Sequence, residues 1–172
     1  MARKVSLREF QESVVAKLQN RAASATANPS KLGVQVGAQL WLVKLSDISE
    51  VLPVPPQTVV PLAQPWFSGV ANFRGNLYGI VDFSHFLGGA PTLPGVDRRV
   101  LLAHPKFMVN SGIVVSRMMG LRNPDQMQRV EAAGEGSAWM GAAYRDDAGN
   151  LWQELDMQAL TGDTRFLNAG LG

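Results

Sequence analysis

The sequence predicts a mainly β protein, with two small barrel-like lobes preceded by an N-terminal α-helix. Three observations carry this reading. One passage occurs twice, the apolar pattern alternates with period two from Leu32 onward, and Gly, Asn and Pro turns punctuate the chain at short intervals. In the repeat, Gly75-Asn76-Leu77 aligns with Gly149-Asn150-Leu151, Tyr78 with Trp152, Asp82 with Asp156, and Gly88 with Gly162. Each copy reads as strand, Gly-Asn turn, strand, acidic helix start, short helix and glycine stop. A unit that recurs at half-domain spacing predicts two similar lobes.

The helix is expected over residues 6–23. Ser6 and Glu9 form a capping box, and Val5 and Phe10 are placed for a hydrophobic staple. Leu7, Phe10, Val14 and Leu18 fall on one narrow face. That stripe docks either on the chain's own body or on a partner. Residues 22–31 are small and polar and read as a linker, so residues 1–31 are helix and linker.

Gly33–Gly37 and Gln39–Lys44 follow as a hairpin around Gly37-Ala38. Asp47–Leu52 is a short extended piece. Prolines at 53, 55, 56, 61 and 65 then exclude a central strand and predict loop or edge. Val70–Phe73 and Leu77–Val81 form the next hairpin, closed at Gly75-Asn76, and Asp82 caps a short helix that stops at Gly88-Gly89. Pro91–Asp97 reads as a connector. Arg99–Ala103, Phe107–Asn110 and Gly112–Met118 are strand-like, and residues 123–136 read as a polar loop. Trp139–Tyr144 and Leu151–Gln153 form the second copy's hairpin, with its helix over Asp156–Leu160. The lobes are expected at roughly 32–90 and 91–168.

Composition narrows the function classes. Sixteen Lys and Arg stand against 14 Asp and Glu, and the cations are scattered, so there is no electrostatic footprint for nucleic acid. Cysteine is absent, which removes disulfide and thiolate chemistry. No apolar run reaches the length of a membrane span, and the N-terminal segment is amphipathic, unlike a signal-peptide core. Cytoplasmic residence is the expectation.

Catalytic candidates are few. His85 and His104 have no neighbours at metal-ligand spacing, so neither a metal nor another cofactor is expected. Asp82, Ser84 and His85 include all three triad residue types, but residues this close on one helix start read as a cap and a helical turn. Asp146-Asp147 reads as a solvated turn rather than a carboxylate pair. The chain is therefore expected not to be an enzyme.

One ordered string adds to this. Ile48-Ser-Glu50-Val51, Thr58–Pro61, Trp66-Phe67-Ser-Gly69-Val70-Ala-Asn72-Phe73-Arg74-Gly75, Ile80-Val81-Asp82-Phe83 and Leu87-Gly88 resemble the CheW-like family of chemotaxis coupling proteins. The resemblance covers roughly residues 32–168 and is strongest over 48–88. With its N-terminal extension the chain looks like the PilI type, whose members serve the chemosensory system of type IV pilus twitching. The resemblance implies two intertwined, five-stranded, SH3-like barrels. It also implies a non-enzymatic adaptor that joins a chemoreceptor's cytoplasmic tip to the regulatory domain of a CheA-like histidine kinase, without inserting into the membrane. Carried over by motif, Ile48, Glu50, Val51, Gly69 and Arg74 belong to the kinase-facing end of the first lobe, with Glu50 on its solvated rim. Val114 and Met118 belong to an apolar receptor groove between the lobes. Arg74 has two readings: pairing with an acidic partner group, or bonding loop carbonyls beside its turn. Gly69 and Gly75 read as backbone devices.

The sequence departs from the family pattern at Tyr78-Gly79, where a proline is usual, and at Ser116, where an acid is usual. A flagellar adaptor is the nearest alternative. A small-barrel nucleic-acid binder would need a basic groove with aromatic platforms, and a hydrolase would need a nucleophile, base and orienter.

Overall fold

The computed structural model describes residues 14–15, 30–132 and 136–170. The expected N-terminal helix and linker lie outside the described residues, apart from Val14 and Val15, which are helical, and residue 30. β1 (Lys31–Val36) and β2 (Gln39–Lys44) form the first hairpin, closed at Gly37-Ala38 as the pattern predicts. A 3₁₀ turn at Leu45–Asp47 leads into β3 (Ile48–Pro53). The proline-rich segment then runs outside the strands to β4 (Phe67–Phe73), β5 (Asn76–Asp82) and helix α1 (Phe83–Phe86). β6 (Arg99–Ala103), β7 (Ser111–Val115), β8 (Arg117–Arg122) and β9 (Gln128–Val130) follow. β10 (Met140–Arg145), β11 (Leu151–Leu155), α2 (Met157–Thr161) and α3 (Thr164–Leu167) complete the order.

These strands make two sheets, ordered β8-β1-β2-β11-β10-β9 and β3-β6-β7-β5-β4. Each sheet is built around one parallel pair, β2 with β11 and β5 with β7, flanked by antiparallel partners. The sheets do not divide at residue 90. The second is built from β3–β7, whereas the first takes β1 and β2 from the start of the chain and β8–β11 from its end. The lobes are intertwined in this sense.

The repeat explains the correspondence. β4, β5 and α1 occupy the places in their sheet that β10, β11 and α2 occupy in theirs. Asp82 accepts from the His85 amide to cap α1, and Asp156 accepts from the Ala159 amide to cap α2. The Asp82 amide donates to the Trp66 carbonyl and the Asp156 amide to the Trp139 carbonyl, both at 2.8 Å. An outer bridge, Thr58 to Val70, stands where β9 pairs with β10. The two hairpins therefore sit in like positions, as a duplicated unit requires.

The main core lies between the sheets. Phe83 and Trp139 each contact Trp41, Phe86 and one another with ring centroids 5.4–6.1 Å apart, and Trp66 and Phe166 pack on Phe86. Strand alternation feeds two clusters. On β6 and β7, Leu101, Ala103, Ile113 and Val115 face the main core. Val100, Leu102 and Val114 face a smaller one with Ala71 and Ile80. Leu52 and Val54 from one edge of the second sheet, and Phe73 from the other, pack on this smaller cluster. The sheet therefore curls around it. Burying each such large side chain contributes about 1.5–3 kcal/mol, which is what holds short strands in place.

Local expectations differ at four points. The first repeat's turn is Arg74-Gly75, one residue earlier than expected, with φ of 52° and 83°. Positive φ at both central residues gives the strand twist that a two-residue hairpin needs. Phe107–Asn110 is not a strand, because Pro105 opens a 3₁₀ turn and Met108 takes a left-handed conformation. Gly112–Met118 breaks at Ser116, where the chain crosses between sheets. Residues 123–136 contain a 3₁₀ turn, Pro124–Gln126, and β9.

Candidate functional site

Two surfaces emerge from this framework. The first is the end of the β3–β7 sheet. Glu50 on β3 and Arg74 in the β4–β5 turn form an ion pair. β3 and β4 are opposite edges of the sheet, so the pair ties the two edges together. The Glu50 side chain is only 19% exposed, against 45% for Arg74. Glu50 is thus half-buried and paired rather than solvated, and the Arg74 guanidinium reaches a carboxylate of its own chain, which neither earlier reading anticipated.

Gly69 lies on β4, five residues before Arg74 and opposite Ile80. Its φ is 140°, and a Cβ added there would lie 2.4 Å from the Thr58 carbonyl oxygen. That approach permits the paired bonds between Thr58 and Val70, at 2.8 and 2.9 Å. Gly69 is the backbone device expected of it. Ile48 is buried and Val51 half-buried against the main core. The structure therefore brings Glu50 and Arg74 into contact and turns Ile48 and Val51 of the same strand towards the main core.

The corresponding end of the other sheet is organised differently. Asp146 opens the β10–β11 loop. Its Oδ1 accepts from the amides of Ala148 and Asn150, and its Oδ2 from the Asn150 side chain and Trp152 Nε1. These bonds, the Trp152 indole first, lower the Asp146 pKa from 3.8 to about 2. The unfolded chain therefore binds more protons between about pH 4 and 2. The stability from Asp146 is complete above that window and is lost as pH falls through it. Asp146→Asn should narrow the stability gap to the parent chain between pH 5 and pH 2.5 in urea melts. An equal gap at both pH values would refute this.

The second surface lies between the sheets. A groove of about 690 Å³ runs between the β1–β2 turn and the α1–β6 loop. Val36, Leu87, Pro91, Leu93 and Pro94 give it an apolar lining, which Ser116 completes. The Ser116 Oγ accepts from the Gly37 amide at 3.0 Å, and its own amide donates to Gln35, which fixes the turn against the crossing. The two residues expected in such a groove flank Ser116. Val114 is 2% exposed inside the smaller cluster, so it is an interior residue of the β3–β7 sheet and not part of the groove. Met118 is half-buried, pairs with Val34 and packs on the main core. The sequence marks the α1–β6 loop only as a connector. Its signal was apolar residues, Leu93 and Val96, in a segment with no strand or helix period to bury them.

A polar counterpart of about 510 Å³ occupies the related position on the other side, near Ser46, Lys106 and Gln158. There Lys31 pairs with Glu154, and Lys106 with the buried Asp47. Elsewhere the Asp82 carboxylate is taken up by the His85 amide and by Thr92, so it orients no ring. Among the described residues no group of three His, Cys, Asp or Glu is placed to hold a metal, and no helix is long and apolar enough to cross a membrane.

Comparison with known proteins places this geometry. The family model for the CheW-like domain matches residues 31–165. Protein PilI of Pseudomonas aeruginosa is 31% identical over 110 residues, covering 60% of this chain and 61% of PilI. Chemotaxis protein CheW of Rhizobium meliloti is 33% identical over 78 residues, covering 45% of this chain and 50% of that protein. The matches thus span about half to three-fifths of these relatives. The crystal structure of the scaffolding protein TtCheW from Thermoanaerobacter tengcongensis superposes with a TM-score of 0.62 at 13% identity. It covers 75% of this chain and 89% of that one, and shows the shared fold.

Proposed function

Because the chain belongs to the CheW-like domain family, we propose that it is a non-enzymatic adaptor that couples a chemoreceptor to a CheA-like histidine kinase. In this reading it resides in the cytoplasm and is recruited to receptor arrays at the membrane. The observation that carries the reading is the presence of two chemically different surfaces on one rigid core. The end braced by Glu50 and Arg74 is polar and held in shape by an ion pair. The inter-lobe groove is apolar and open. An adaptor needs two such surfaces, so that holding one partner leaves the other site free. The braced end suits the kinase regulatory domain, with Ile48, Val51 and Gly69 holding its shape. The groove suits the receptor tip, with Val36, Leu87 and Leu93 as its contact surface in place of Val114 and Met118. The longer match to PilI favours the type IV pilus system over the flagellar one.

The test is calorimetric titration of the full chain against the cognate kinase regulatory domain and against a soluble cytoplasmic fragment of the cognate receptor. Each should bind alone, and saturation with one should leave the site for the other open. Mutual exclusion, or binding to neither, overturns the reading. Salt-dependent binding of a single-stranded oligonucleotide in their place would favour the nucleic-acid alternative.

A further inference from the structure

The apolar groove carries a cation that its own walls leave unsatisfied. Arg98 is half-buried at the groove's edge, and its Nε is shielded from water without a hydrogen-bond partner. The adjacent Arg99 differs, because its guanidinium donates to the carbonyls of Val96 and Arg98, both at 2.7 Å. Across the groove Arg117 donates to Gln35 at 2.8 Å, and Gln35 lines the opposite wall. Arg98 is thus the guanidinium in the lining and Asp97 the carboxylate, with Arg117 held outside it by Gln35. The nearby Asp82 is already occupied by three donors. A guanidinium N–H held out of water without an acceptor is costly, and the Arg98 Nε is one. An incoming carboxylate offsets that cost with short, two-pronged hydrogen bonds.

We propose that Arg98 determines which segment the groove accepts, by pairing with a carboxylate on the apolar segment of the receptor tip that docks there. The proposal rests on the adaptor reading and adds to it the chemistry that selects the occupant. Apolar lining provides contact area with little discrimination, whereas a half-buried charge with an unpaired N–H disfavours segments that lack its counter-charge.

The experiment titrates the full chain with the soluble receptor fragment at two salt concentrations. Arg98→Gln should raise Kd about 10- to 100-fold, and Arg98→Lys should recover part of the loss. Changing the matching tip acid to its amide should cause the same loss, and combining both changes should add little further. Ala38→Trp, which fills the groove from the facing turn, should abolish binding. If Ala38→Trp abolishes binding while Arg98→Gln leaves Kd unchanged, the Arg98 inference fails and the groove reading stands. If Ala38→Trp leaves binding intact, the groove reading itself fails. Should Arg98→Gln lower the melting temperature, the tip-acid variants against the parent chain decide, and unchanged affinity for all of them overturns the proposal. A shift in self-association instead of receptor affinity would assign the groove to a second copy and also overturn it.

Discussion

Gly69→Ala is expected to destabilise the protein by roughly 3–5 kcal/mol, among the largest effects available to a single methyl group. Two independent costs add. The first is conformational: φ of 140° lies outside what an L side chain adopts readily. The second is steric: the new Cβ would meet the Thr58 carbonyl oxygen at 2.4 Å, and backbone yields less readily than a side chain. Relief requires that the Thr58 bridge to Val70 open, which releases the proline-rich segment from β4. For a chain of this size the melting temperature should fall by about 10 °C. Gly75→Ala gives a useful contrast. Its φ of 83° is also strained for alanine, but nothing lies within 4 Å of the added Cβ, so its cost should be clearly smaller. Equal losses at the two positions would show that the close approach of Thr58 has no energetic weight.

The second large effect concerns the ion pair at the end of the β3–β7 sheet. Arg74→Glu should place two carboxylates together and lower stability by about 1–3 kcal/mol. On the adaptor reading it should also weaken binding to the kinase regulatory domain about 100-fold or more. Exchange of both charges, Glu50→Arg with Arg74→Glu, should restore most of the stability. Arg74→Asn separates charge from turn. Asparagine tolerates the left-handed conformation that φ of 52° imposes, so the hairpin should hold while the pair is lost. Thermal melts and titrations of all four chains decide the matter. Normal kinase binding by Arg74→Glu would remove this end of the molecule from the kinase interface.

Legibility followed the range of the interactions. The Gly75 and Gly149 hairpins and the caps at Asp82 and Asp156 depend on residues close in sequence, and both copies could be read. The prolines between 53 and 65 correctly excluded a central strand. The sheet orders were less accessible. Pairing β2 with β11 joins Leu40 to Trp152, and no local pattern encodes such a choice. The same limit applied to the site. Glu50 and Arg74 were each singled out from a motif, but their contact depends on how the sheet curls. Val114 looked like a surface residue in an apolar run, and only the alternation between two clusters shows that it is interior. Arg98 carried no signal at all, since an arginine in a connector is ordinarily solvated.

The way the β1–β2 hairpin is used has a consequence for biosynthesis. The strands of the β3–β7 sheet are contiguous and can assemble as soon as Val115 has left the ribosome. The first hairpin emerges earlier but finds its parallel neighbour only when β11 follows. Through most of that interval Trp41 lacks its Trp139 neighbour, and one edge of β2 lacks a partner throughout. Long-range parallel pairing of this kind is slow and leaves unfinished chains prone to association. The first hairpin is therefore the segment whose exposed edge waits longest, until β11 is made.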